Sequence, residues 1–292
     1  MKAKAECILC FINQAIRAAN IIGESEEKKM EVVRTVIKYL SNLKNFDVPP
    51  PIISEGVYEN IKKILNNNDP YKKVKQHFTE VAFSYLTQLE KLLKESKNPI
   101  DTAIRLSLAG NVVDFGSQME KFDVDDAINT SLSIKITLND SKIFMKELEK
   151  AKNLFFVADN AGEIVFDKLL LQAIKEIYPK INIKIVARKA PIINDVTTDE
   201  VKTINMQEIG EILSSGAAIP GLDVSRCDKR CKQAFYDADI IISKGQGNFE
   251  ILSELNDNRL YFLFIVKCSV IAHYMNLPLL SRIFSKKKEW QN

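Results

Sequence analysis

Two textures divide the apolar and polar positions of this chain. Up to residue 110, apolar residues recur at helical spacing: Ile8, Phe11, Ile12, Ala15 and Ile16, then Val32, Val33, Val36, Ile37 and Leu40. Further helical patterns cover 52–66, 71–95 and 98–110, and Asp69-Pro70 suits a helix entry. Pro49-Pro50-Pro51 reads as an extended connector. With no strand signal in between, residues 1–110 are predicted to form a helical subdomain. Gly110 and Gly116 then bracket Asn111 and Asp114, which predicts a junction: either a turn with caps, or a segment that brings both polar residues near a site. Ser131 to Thr137 alternates like a short edge strand.

From residue 153 strands and helices alternate. Leu154–Ala158, Ile181–Ala187, Ala238–Ser243 and Leu260–Val266 are short apolar runs, with helical patterns at 163–178, 198–213, 228–236 and 248–255. That alternation predicts a parallel sheet with helices on both faces, assigned to residues 111–292. Right-handed crossovers place the carboxyl ends of such strands on one edge, where open α/β sheets bind ligands.

The residues delivered to that edge share a chemistry. The first strand ends in Asp159-Asn160, the second runs on to Asn194-Asp195-Val196-Thr197, the third ends in Lys244-Gly245-Gln246-Gly247-Asn248 and the fourth in Lys267-Cys268. Asp159, Asn160 and Asp195 offer oxygen ligands to a hard divalent cation. Gly245 and Gly247 allow backbone amides close to an anion, and Lys244 and Lys267 are point charges for phosphate oxygens. Together these describe an electrophilic clamp for a phosphoryl group. Taken singly, each feature has a plainer reading: Asp159, Asn160 or Asp195 as helix caps, Gly-Gln-Gly as a turn, Lys267 as a surface lysine.

Composition narrows the alternatives. The 292 residues are 46% hydrophobic and 27% charged, as in an ordinary globular protein. A net charge of +3 gives no argument for nucleic acid, and Lys286-Lys287-Lys288 reads as a solvated tail. No apolar stretch has the length of a membrane span, and the first residues do not read as a signal peptide. Two histidines are too few for a His-rich zinc site, and His77 and His273 read as packing residues. Five cysteines do not make a secreted disulfide framework, so a cytoplasmic location is expected. Cys7 and Cys10, like Cys227 and Cys231, share a helix face; packing, a second metal site and a disulfide all stay open for them.

The set Asp159-Asn160-Ala161-Gly162-Glu163, Asn194-Asp195-Val196-Thr197, Lys244-Gly245-Gln246-Gly247-Asn248 and Lys267 resembles the damage-control phosphatases. Cys7-Ile8-Leu9-Cys10, which marks the prokaryotic branch, Gly110-Asn111 with Asp114, and Ser215-Gly216 with Pro220-Gly221 extend the likeness over nearly the whole chain. The resemblance implies a Rossmann-like three-layer α/β/α domain with an N-terminal helical subdomain. It implies a divalent cation (Mn²⁺, Mg²⁺, Co²⁺ or Ni²⁺) on Asp159, Asn160 and Asp195, a substrate loop at Lys244 to Asn248, and a catalytic-site lysine at Lys267. The expected reaction is hydrolysis of small phosphometabolites, such as sugar phosphates or damaged phosphate esters. The nucleophile is either water activated by the cation, which is preferred, or Asp159 or Asp195 itself. Two other readings remain: a module that binds a phosphorylated ligand without turnover, and a carboxyl methyltransferase. Against a nucleotide- or S-adenosylmethionine-dependent transferase, the turn after the first strand lacks Gly-x-Gly-x-x-Gly.

Overall fold

In a computed structural model, which describes residues 1–116 and 124–290, a seven-stranded sheet carries helices on both faces. Its strands are β1 (Leu138–Asn139), β2 (Asn153–Val157), β3 (Asn182–Ala187), β4 (Glu211–Ser214), β5 (Ile240–Lys244), β6 (Leu260–Ile265) and β7 (Arg282–Lys286). They lie in the order β1-β7-β6-β5-β2-β3-β4, and every neighbouring pair is parallel except β6 with β7. All four strands expected from the apolar runs are present and adjacent. From β2 the chain moves outward through β3 and β4, then crosses back to β5 on the other side. The switch point between β2 and β5 leaves a crevice at their carboxyl ends.

Alternation along the strands builds the three layers. Leu154, Phe156, Ile183, Ile185 and Ile242 point into one core, and Phe155, Val157, Val186, Ile241 and Phe262 into the other. The first core is closed by α4 (Lys72–Ser84), α5 (Leu86–Glu95), α6 (Pro99–Gly116) and α9 (Glu163–Ile177). The second is closed by α11 (Lys229–Asp237), α12 (Gln246–Leu252) and α13 (Ser269–Met275). A third core lies within α1 (Ala5–Ile21), α2 (Glu26–Ser41) and α3 (Pro50–Leu65), around Phe11, Val36, Val57 and Ile61, and it also takes in Ile192 from the loop after β3. Shorter helices α7 (Val124–Ser133), α8 (Ser141–Leu148) and α10 (Thr198–Thr203) complete the chain. Among the described residues, no helix is long and apolar enough to cross a membrane.

Several local expectations change. Pro50 and Pro51 form the first turn of α3, where a missing N–H costs nothing, instead of an extended connector. The glycine-bracketed segment 109–116 is not a turn but the continuous end of α6; Gly110 is required there because a Cβ would fall 2.9 Å from Phe166 Cβ and 3.0 Å from its ring. The side chain of Asp114 lies outside the described residues. Ser131 to Ser133 end α7 instead of starting a strand, and the edge strand begins at Leu138. Residues 211–213 leave the predicted helix and, with Ser214, form β4, and Lys286 belongs to β7 instead of a solvated tail.

Candidate active site

The turn after β2 is built by backbone pairing with the loop after β3. Val196 N–H donates to Asp159 O at 2.8 Å, Ala161 N–H to Asn194 O at 3.0 Å, and Asn160 and Asp195 form an isolated antiparallel bridge. Helix α9 then starts from Gly162 without a side-chain cap, so neither Asp159 nor Asn160 serves as one. Nor does Asp195 cap α10: Thr197 does, in a reciprocal pair with Glu200. Ile193 sits at φ +46°, a left-handed conformation that is strained for a β-branched residue. The loop is held there by Ile192, buried among the N-terminal helices, and by Lys62 Nζ, which donates to Pro191 O.

Asp159, Asn160 and Asp195 are buried at 8%, 6% and 3% exposure, yet all three line one cavity of about 290 Å³. Gln246, Gly247 and Lys267 line it too, and its far wall comes from α1 and α3. Asn160 Nδ2 donates to Asp159 Oδ2 at 2.9 Å and to Glu163 Oε2 at 3.3 Å. Gly245, at φ +76°, packs its backbone against Asp159; a Cβ there would fall 1.8 Å from Oδ2. A Cβ on Gly247 would fall 2.0 Å from Pro220 O. Both glycines are therefore required by close packing of the loop.

Lys244 and Asn248 do not line the cavity. The Lys244 ammonium is fully buried, 2.6 Å from Glu163 Oε1 and 2.8 Å from Asp167 Oδ1, and it also donates to Ser107 Oγ. Burial alone would lower its pKa, but Asp167 and Glu163 outweigh that and hold it above the ordinary lysine value. Asn248 Nδ2 donates to Ala158 O at 3.1 Å and to Lys244 O at 2.6 Å, bracing the loop against β2. Asn111 lies beside this cluster, with Nδ2 on Glu163 Oε2 at 2.8 Å and Oδ1 accepting from Ile265 N–H.

Arg188 is the site residue that sequence reasoning missed. It is fully buried just past β3, with Nε 2.6 Å from Asp195 Oδ2 and an Nη 3.9 Å from Asp159 Oδ1 and 3.2 Å from Asn248 Oδ1. Its position at a strand's carboxyl end was the available signal. Two carboxylates and a carboxamide form a hard-oxygen donor set that suits Mg²⁺ or Mn²⁺, with Arg188 balancing part of the charge from behind. Among the described residues, no group of three or more His, Cys, Asp and Glu is placed to hold a metal ion. The cysteines are all free thiols, and burial raises the pKa of Cys7, Cys268 and Cys10, the last to about 11.

Residues 3–282 match the damage-control phosphatase ARMT1-like domain. The chain belongs to this family. It is 31% identical over 278 residues to a damage-control phosphatase of Pyrococcus horikoshii, covering 95% of this chain and 96% of that one. A damage-control phosphatase of Archaeoglobus fulgidus is 29% identical over 278 residues, covering 93% and 94%. The crystal structure of a DUF89 family protein from Pyrococcus horikoshii superposes with a TM-score of 0.91 at 30% identity, over 99% of this chain and all of the other. The fold is thus that of this damage-control phosphatase family.

Proposed function

We propose that this member of the family is a divalent-metal-dependent phosphomonoester hydrolase acting on small phosphorylated metabolites in the cytoplasm, with a role in metabolite repair. The observation that carries the reading is the convergence of Asp159, Asn160, Asp195 and Lys267 on one small cavity at the switch point. Asp159, Asn160 and Asp195 would hold the cation (Mn²⁺, Mg²⁺, Co²⁺ or Ni²⁺), which supplies Lewis-acid stabilisation of a phosphoryl oxygen. Lys267 balances charge on the remaining oxygens. Gln246 fixes that lysine's backbone, its Oε1 accepting from Lys267 N–H at 2.9 Å. Arg188 orients the Asp195 carboxylate, and Asn160 that of Asp159. With both carboxylates so engaged, water is the nucleophile in this proposal. Lys244 and Asn248 act behind the site, holding the loop, instead of on the substrate.

The test is phosphate release from an aryl phosphate and a panel of sugar phosphates by metal-stripped protein given each cation in turn. Metal-dependent release is expected. It should fall at least about a hundredfold in Asp159→Ala and Asp195→Ala, with circular dichroism unchanged. No release with any cation, from folded protein, would replace the hydrolase with a module that only binds a phosphorylated ligand.

A further inference from the structure

One wall of the cavity has no part in the chemistry proposed above. Glu250 stands one helical turn past Gly247 on α12 and lines the same cavity as Lys267 and the Asp159-Asn160 turn. The same wall includes Glu6, Cys10 and Gln14 of α1 and Ser54 of α3. Among the described residues lining the cavity, Lys267 is the one lysine or arginine. Gln14 places Nε2 3.6 Å from Cys10 Sγ, and its buried Oε1 has no hydrogen-bond donor among the described residues. The N-terminal ammonium near Glu250 donates to the Glu250 carbonyl oxygen and pairs with the Glu254 carboxylate at 2.9 Å. Burial pushes the Glu250 carboxyl up to about 7, opposed by that ammonium and by a hydrogen bond from Gln246.

Above about pH 7, where Glu250 is ionised, a partly buried carboxylate on the cavity wall favours O–H donors and repels anions. We propose that Glu250 is a specificity-determining residue: it accepts a hydrogen bond from a hydroxyl on the alcohol part of the substrate, and it turns away phosphate esters whose alcohol part carries a second anionic group. Gln14 Oε1 adds a second acceptor on the same wall. This inference rests on the phosphatase reading and narrows it to esters of neutral, hydroxylated alcohols.

The experiment compares kcat/KM for glycerol phosphate and phosphoglycerate, a pair differing in a hydroxymethyl against a carboxylate. It uses the wild type and Glu250→Gln, with an aryl phosphate as the reference for phosphate release. Wild type is expected to prefer glycerol phosphate by at least about tenfold, and Glu250→Gln to narrow that ratio by about tenfold. Release from the aryl phosphate with equal use of both alcohols by the wild type overturns this inference alone, without need of the variant. A ratio unmoved in Glu250→Gln also overturns it. No release from the aryl phosphate overturns the phosphatase reading and this inference with it.

Discussion

Lys244 and Lys267 end neighbouring strands of the sheet, and the sequence offers both as partners for phosphate. Their surroundings separate them. Lys244 is sealed beneath the crevice with Glu163, Asp167 and Ser107, all fully buried, while Lys267 is half-buried and faces the cavity. Buried opposite charges hold each other in place, so the first lysine is committed to the fold, whereas a lysine at the cavity wall can meet a ligand. Strand-end position brings a residue near the site; packing decides whether it reaches it.

The strongest way to break this comparison is to remove each ammonium. Lys244→Met leaves two carboxylates buried without their cation and should cost about 3–5 kcal/mol of stability. Lys267→Met, at a half-buried position, should cost less stability than Lys244→Met while lowering phosphate release about a hundredfold. Urea unfolding and a release assay on the two variants read both effects. Equal stability losses would show that the two lysines are alike after all.

Much of this division was open to a reader of the sequence, and some was not. The four central strands were legible because each is a compact apolar run followed by turn chemistry, and their parallel order places Asp159, Asp195, Gln246 and Lys267 on one edge. Strand β4 was hidden because Glu211-Ile212-Leu213 continues a helical pattern, and β7 because its pairing partner, β6, is set by tertiary contact. The ionic cluster did leave a trace. Glu163 and Asp167 lie four residues apart within an α9 that is apolar nearly all round, and Ser107 and Asn111 are four apart on α6. Polar pairs on a helix buried on all sides mark an internal network. Arg188 was harder: a cation one residue past a strand reads as surface until the fold buries it.

Arg188 joins the two regions, touching Asp195 and Asp159 on the cavity side and Asn248 on the loop that carries Lys244. Arg188→Lys keeps the charge and loses the planar fork that holds several oxygens at once. Cation affinity measured by calorimetric titration should fall about 10–100-fold, the usual effect of losing a group that orients a metal-binding carboxylate. An unchanged affinity would mean that the backbone bridge between Asn160 and Asp195 orders the carboxylates unaided.

The smallest effect expected is a change in slope. Burial raises the Asp167 carboxyl from an ordinary 3.8 to about 7, with Lys244 opposing the rise and Glu163 adding to it. Between those values the folded protein binds more protons than the unfolded chain, so stability falls as pH rises. The contribution is complete below about pH 4 and lost on passing about pH 7. Asp167→Asn is neutral throughout and removes the slope. In metal-stripped protein, the stability of wild type relative to the variant should therefore shrink between about pH 5 and about pH 8, read from urea midpoints. If the two profiles run parallel, Asp167 is ionised in the folded protein over this whole range. Lys244 would then face a full negative charge on Asp167 with no proton between them, and the buried region would differ from the cavity in hydration alone.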